Sequence, residues 1–328
     1  MDLLKYISFL KLINIARVYT GYILSILFKK VFVFGYPYSL TTEPTNQCNL
    51  NCLECPTGNK TSLVEKGKMT FENYTKIIDP LRKYIVYQML YFQGEPFLNS
   101  DLFKMIKYSD DKRIYTSLST NGHFLSKQNC EAIVSSGLKK IIVSLDGLSQ
   151  ESYEKYRVGG HLNTVLTGIQ NLIEAKQESL SGYPKITIQF LVFKHNEKEL
   201  DQIKTYCKNL NIDKLELKSA QITSTDNMYL IPENNKYSRY KTAPHKTLIK
   251  SSLKNRCFRI WNTMLFTWNG TVLPCCFDKE NLYKIGNILD KTSFNLWNSY
   301  AYNKFRKNIL QNRKQHSICC NCTEGLKK

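Results

Sequence analysis

The stretch YSLTTEPTNQCNLNCLECPTG, residues 38–58, carries a short β-prone run straight into a loop that places Cys48, Cys52 and Cys55 within eight residues. The same order repeats downstream. Short apolar, β-prone runs at residues 38–43, 85–92, 114–120, 140–145, 186–193 and 214–218 alternate with stretches of helical period at 71–81, 102–110, 126–135, 162–176 and 197–209. A chain that alternates strand and helix in this way builds a parallel sheet. A complete eight-unit barrel takes roughly 250 residues, so six units need about 190, which residues 38–225 supply. A doubly wound open sheet would carry a G-x-G-x-x-G turn after its first strand; here a cysteine loop follows instead. The expected fold class is α/β, a partial (β/α)6 TIM-like barrel.

Composition narrows the chemistry. With 328 residues and 42% hydrophobic content the chain exceeds one compact unit, so one large and one small domain are expected. Eleven cysteines are too sparse for a disulfide-stapled secreted scaffold, and no signal peptide with a small-residue cleavage site is evident. Thiols kept reduced for metal, in a cytoplasmic setting, are the expectation. The formal charge of +19 comes from Lys scattered among Asn and Ile rather than from a basic block. That pattern reads as a solvated surface, and no nucleic-acid partner is expected.

In a parallel barrel the chemistry sits on the loops at the carboxyl ends of the strands. Cys48, Cys52 and Cys55 follow the first strand, Gly94-Glu95-Pro96 the second, Ser119 and Asn121 close the third, and Ser144 and Asp146 the fourth. Each alone also reads as ordinary turn chemistry. Three thiolates on one short loop suit either a zinc ion with a distant fourth ligand or a [4Fe–4S] cluster. In the cluster, three thiolates hold three irons and leave the fourth open for a substrate or cosubstrate.

The spacing C-x3-C-x2-C in CNLNCLEC resembles that of the radical S-adenosylmethionine (SAM) superfamily. The resemblance implies a [4Fe–4S] cluster on Cys48, Cys52 and Cys55 whose open iron binds SAM, and reductive cleavage of SAM to a 5′-deoxyadenosyl radical. It further implies that Gly94, Glu95 and Pro96 contact the methionine amino group, with Gln93 where the first Gly of G-G-E-P is usual. Ser119 and Asn121 match the polar pair of the third strand, Ser144 and Asp146 the residues near the ribose, and Arg157 an Arg that pairs with the SAM carboxylate. Glu54 departs from the pattern, standing where an aromatic residue or Met often lies against adenine.

Six of the eleven cysteines, Cys257, Cys275, Cys276, Cys319, Cys320 and Cys322, fall in the last quarter of the chain. Gly270 to Cys275 reads as a hairpin strand that delivers a thiolate, and Cys319-x-x-Cys322 is a ligand-pair spacing. From the residues, a four-cysteine zinc ribbon and an iron–sulfur site on Cys257, Cys275, Cys319 and Cys322 stand level. The spacing C-x17-C-x43-C-x2-C after the barrel is similar to the SPASM/twitch extension, which implies one auxiliary [4Fe–4S] cluster. Cys276 and Cys320 are adjacent spares, and Cys130 and Cys207 read as helix cysteines.

The expected domains are an amphipathic helical segment at 1–37, the barrel at 38–225, a linker at 226–250 and a small Cys-rich α+β cluster domain at 251–328. In the first segment Asp2, Lys5, Ser8, Lys11, Asn14 and Arg17 recur every third position, and the charges interrupt a membrane span. It reads either as a helix lying on the inner face of a membrane or as one packing over the open barrel edge. The expected function is a radical SAM oxidoreductase acting on a small molecule such as a sugar, polyol or carrier-linked saccharide, fed by a one-electron reductant such as flavodoxin or ferredoxin. The alternatives are a peptide or protein maturase of the same type and, from another class, a Cys-rich zinc protein that binds nucleic acid. Lys194, His195 and Lys218 lie near the rim, but nothing in the sequence selects a catalytic acid or base.

Overall fold

Residues 2–243, 246–250 and 252–322 are described by the computed structural model. In chain order they form α1 (Phe9–Phe28), β1 (Ser39–Thr42), α2 (Phe71–Leu81), β2 (Tyr87–Met89), α3 (Leu102–Asp111), β3 (Tyr115–Thr120), α4 (Lys127–Ser135) and β4 (Lys140–Ser144). Then come α5 (Gln150–Glu154), α6 (Leu162–Glu178), β5 (Lys185–Val192), α7 (Leu200–Asn209), β6 (Lys214–Ser219), β7 (Tyr240–Ala243) and β8 (Lys246–Ile249). The C-terminal part adds α8 (Arg259–Asn262), β9 (Thr263–Phe266), β10 (Thr271–Leu273), β11 (Gly286–Asn287), α9 (Ser293–Trp297), α10 (Tyr300–Asn312) and α11 (Ser317–Cys320).

Local sequence accounts for most of these boundaries. Thr70 caps α2 by accepting from Asn73 N, and Ser126 caps α4 by accepting from Asn129 N, which satisfies amides that the first turn leaves unpaired. Helix α2 buries Tyr74, Ile77, Ile78 and Leu81, one stripe at i, i+3, i+4 and i+7. Strand β4 presents Ile141, Ile142 and Val143 as a continuous buried run, the mark of a parallel strand covered on both faces.

By packing, the chain falls into two compact units. The first comprises Met1–Gln47, Leu63–Ser117 and Ser252–Gly325. Here β1 pairs in parallel with β2 on one side, Ser39 opposite Tyr87, and with β9 on the other, Ser39 opposite Thr263. Strands β9, β10 and β11 continue the sheet antiparallel. The C-terminal hairpin therefore covers the edge of β1, an edge that would otherwise offer unpaired backbone groups. The second unit comprises Cys48–Ser62 and Leu118–Ser251; in it β4, β5 and β6 are parallel, and β7 and β8 form a hairpin.

Helix α1 belongs to the first unit and is seated by its polar side. Lys11 Nζ donates to Arg113 O at 2.9 Å, Asn14 exchanges bonds with Tyr36 N and O at 2.8 and 2.9 Å, and Ser25 Oγ accepts from Phe32 N at 2.9 Å. Burial, helped by the nearby Arg113, lowers the Lys11 pKa to about 8.

Candidate functional site

The loop after β1 is held against the segment Tyr156–Val158. Asn51 N donates to Val158 O at 2.9 Å and Leu53 N to Tyr156 O at 3.4 Å, while Cys55 N donates to Cys52 O at 3.2 Å. Gly58 closes the loop where no side chain fits: a Cβ there would stand 2.7 Å from Cys52 N. Leu50, Tyr156, Phe193, Ile222, Leu230 and Tyr240 form a buried apolar wall against which Cys48, Leu53 and Cys55 pack. Burial pushes the Cys52 thiol up, and Arg157 works against that shift, with Nη1 3.8 Å from Cys52 Sγ. A thiolate in so dry a place needs positive charge beside it, which irons and the guanidinium supply. The donor set thus fits an iron–sulfur cluster.

Around this loop, within the same unit, the structure gathers several of the residues singled out from sequence. Asn121 Nδ2 donates to Asn49 Oδ1 at 2.8 Å and lies 3.9 Å from Cys48 Sγ. Arg157 Nε and Nη2 both approach Asp146 Oδ2 at 2.6 Å, while Asp146 Oδ1 accepts from Leu191 N at 2.6 Å. Asp146 is fully buried, and its charge, with that of Cys52, keeps Arg157 protonated against the pull of burial. Its oxygens therefore orient Arg157 and the end of β5. Ser144 is buried at the end of β4 and Ser119 half-buried near the end of β3. Glu54 is also turned inward: its carboxylate accepts from Thr223 N at 2.7 Å, from Thr223 Oγ1 and from Asn227 Nδ2 at 2.6 Å, pinning the cysteine loop to the segment after β6. Near the rim, Lys194 pairs with Glu233 and Lys218 with Glu216.

In the first unit, Gly94 has φ +73, and a Cβ would fall 2.5 Å from Thr45 O. That conformation and that approach both call for glycine. Glu95 is buried, its N–H donating to Gln47 O at 2.7 Å, and its carboxylate caps the turn Pro96–Leu98 by accepting from Phe97 N. Sequence reasoning counted Glu43 as a strand end, yet it holds two loops at once. Its Oε1 accepts from Gln93 N at 3.2 Å and its Oε2 from Trp268 N, in the β9–β10 turn, at 3.1 Å. Burial raises its pKa to about 7 against the pull of those two amides.

The C-terminal cysteines converge within this first unit as well. Cys275, Cys319 and Cys322 are buried and Cys257 half-buried. Cys275 is raised well above the usual thiol range, by its hydrogen bond with Cys276, by burial and by the nearness of Cys276 and Cys257. Arg313, missed from sequence, binds the other side: Nη2 stands 3.3 Å from Cys322 Sγ, Nη1 donates to Arg256 O, and Cys257, Cys322 and Cys319 hold its pKa up against burial. A lone Arg six residues before Cys319 was the only trace of it. Cys320 is exposed and its thiol turns to the carbonyls of Lys314 and His316. Among the described residues, no three His, Cys, Asp or Glu side chains meet closely enough for one metal ion; a cluster carrying one thiolate per iron asks for a wider spread.

Residues 42–207 match the family model of the radical SAM superfamily. The chain belongs to that superfamily. Residues 257–323 match the SPASM iron–sulfur cluster-binding domain. Among curated relatives, the tungsten-containing aldehyde ferredoxin oxidoreductase cofactor-modifying protein of Pyrococcus furiosus is 25% identical over 87% of this chain and 86% of its own. A probable GTP 3′,8-cyclase of Methanococcus maripaludis is 26% identical over 75% and 87%. Among solved structures, BtrN in complex with AdoMet and 2-DOIA superposes with TM-score 0.54 at 18% identity, covering 87% of this chain and 92% of that one. SuiB of Streptococcus suis bound to S-adenosylmethionine gives 0.65 at 15%, covering 88% and 73%, and anSMEcpe with bound AdoMet gives 0.60 at 17%, covering 87% and 89%. The α/β partial-barrel class with a C-terminal cluster domain, expected from the sequence, is the fold of this group. The protein is a radical SAM enzyme whose cofactors are S-adenosylmethionine and [4Fe–4S] clusters.

Proposed function

We propose that this enzyme oxidises a small molecule. The observation that carries the reading is the second cysteine set: Cys257, Cys275, Cys319 and Cys322 form an all-thiolate, mostly buried group braced by Arg313. A site with four protein ligands is closed to substrate and suited to passing electrons. Bound with SAM on the first cysteine set, a [4Fe–4S] cluster would supply hydrogen-atom abstraction, and one bound on the second set would supply a one-electron acceptor; with a proton released to solvent, the substrate would lose two hydrogens in all.

The chain's own residues do the rest. Cys48, Cys52 and Cys55 hold the first cluster on a loop kept dry by Tyr156, Phe193 and Tyr240, which shields a radical from water. Arg157, fixed by Asp146, binds the SAM carboxylate, and Asn121, Ser119 and Ser144 orient the nucleoside. A small-molecule substrate accords with the likeness to BtrN, whose structure is a complex with AdoMet and 2-DOIA and is matched over 92% of its chain. An external one-electron donor of the flavodoxin or ferredoxin kind supplies the reducing electron.

The test uses anaerobically reconstituted protein with dithionite, SAM and a panel of polyols, amino sugars and peptides. Loss of two hydrogens from a small molecule, with 5′-deoxyadenosine formed and about eight irons bound per chain, is expected. A product at unchanged oxidation level, or turnover of peptides alone, would overturn the reading.

A further inference from the structure

Helix α1 turns the usual arrangement of an amphipathic helix inside out. Its buried residues are Lys11, Asn14, Val18, Gly21 and Ser25, a polar and small-residue stripe bonded to the domain beneath. On the opposite side stand Phe9 at 80% exposure, Leu12 at 55%, Ile23 at 51% and Leu27 at 68%. These four lie within about a third of the helix circumference at 3.6 residues per turn, along a helix roughly 30 Å long. Leu4, ahead of the helix, and Phe28, its last residue, add exposed apolar surface at either end. Monomeric soluble domains seldom leave so continuous an apolar patch open to water.

Charge says what covers it. Residues 1–42 hold five basic side chains, Lys5, Lys11, Arg17, Lys29 and Lys30, against one acid, Asp2. Lys5, Arg17, Lys29 and Lys30 are all exposed beside or beyond the stripe. A second copy of a chain with net charge +19 would set like charge against like across such a contact, whereas an anionic bilayer meets apolar side chains with hydrocarbon and basic ones with headgroups. The helix is long and apolar enough to cross a membrane by composition, with mean hydropathy 1.3. Its inward bonds from Lys11, Asn14 and Ser25 tie it to the folded domain instead. We infer that α1 is a docking surface that lays the enzyme flat on an anionic lipid bilayer, its Phe9–Leu12–Ile23–Leu27 stripe entering the interface.

The experiment is co-sedimentation of the full chain with vesicles of two parts phosphatidylcholine to one part phosphatidylglycerol, beside vesicles of phosphatidylcholine alone. Leu12→Gln with Leu27→Gln should weaken partitioning about a hundredfold, near tenfold for each apolar side chain withdrawn. Lys29→Glu with Lys30→Glu should cost severalfold on the anionic vesicles, and added salt should shrink that difference. Melting temperature and uncoupled SAM cleavage should stay at the wild-type level in both variants, since none of the four residues touches either cysteine set. Failure of the wild type to sediment, or equal sedimentation by the Leu12/Leu27 variant, would overturn the proposal. So would a concentration-dependent dimer, seen by light scattering and abolished by the same variant without vesicle binding, which would give the face to a second copy.

Discussion

Removing the positive charge of Arg313 should lower the midpoint potential of the auxiliary cluster. The guanidinium Nη2 stands 3.3 Å from Cys322 Sγ, and at that distance an effective dielectric of about 20 gives roughly 5 kcal/mol between full charges. An electron added to the cluster is shared over four irons and their sulfurs, so about half of that is felt, roughly 2.5 kcal/mol. At 59 mV for each tenfold change in a one-electron couple, this is about 100 mV. Arg313→Gln should therefore move the potential about 100 mV more negative, and Arg313→Lys, which keeps the charge, should recover much of the shift.

The assay is an anaerobic redox titration followed by electron paramagnetic resonance. It is run in a Cys48→Ala, Cys52→Ala, Cys55→Ala background so that only the C-terminal site reports. Iron content and melting temperature separate a shifted cluster from a lost one. A less willing acceptor should also slow substrate oxidation more than uncoupled SAM cleavage in the single variant. If Arg313→Gln kept its iron and its potential moved by less than about 30 mV, the electrostatic role assigned to Arg313 would be refuted.

Four further substitutions test other parts of the structure. Cys275→Ala should cost the auxiliary cluster, taking iron from about eight to about four per chain, while Cys276→Ser, whose side chain is more exposed, should keep most of it; the reverse outcome would exchange the two ligands. Glu43, with a folded pKa near 7 against an ordinary 4.5, holds its proton more tightly folded than unfolded, so its contribution to stability falls as pH rises from about 4.5 through 7, by about 3 kcal/mol in all. Glu43→Gln should flatten that slope in urea melts taken from pH 5 to 8, and an unchanged slope would show that Glu43 does not titrate there. Asp146→Ala should destabilise by about 3 kcal/mol, because it leaves the largely enclosed Arg157 without its carboxylate; a change under about 1 kcal/mol in chemical denaturation would mean that Arg157 finds another partner.

Much of the barrel was legible because each element states its period locally. Helix α2 was expected at 71–81 and is found there; β4 and β6 begin where their apolar runs begin. What the sequence did not show were relations between distant residues. The parallel pairing of β9 with β1 joins positions more than 200 residues apart in sequence and has no local signature, since a strand edge does not name its partner. Glu43 and Glu54 read as a strand end and a departure from a pattern, because their hydrogen-bond partners lie on other segments. Helix α1 left two readings open for a different reason. A period of three separates a polar from an apolar face without saying which one the fold will bury, and here Gly21, where a Cβ would stand 2.8 Å from Phe32 O, and the short polar side chains beside it are what allow close seating.

The two cysteine sets are each served by an arginine, Arg157 half-buried and Arg313 buried, and the difference between those arginines parallels the different work proposed for the sets. Arg157 shares its charge with Asp146 through two nitrogens on one carboxylate oxygen, so its net effect on Cys52 is tempered while its plane is fixed. An arginine held that way is suited to orienting a ligand's carboxylate, where geometry matters more than field. Arg313 has its pKa held up by Cys257, Cys322 and Cys319, and its other nitrogen is spent on a backbone carbonyl, which places a little-diluted positive charge against sulfur. Such a charge favours the reduced form of whatever those sulfurs bind. On the proposed assignment, an enzyme that must first give an electron to SAM and later take one from substrate needs its two clusters at different potentials. A tempered charge at the first set and a fuller one at the second set them apart in the required direction.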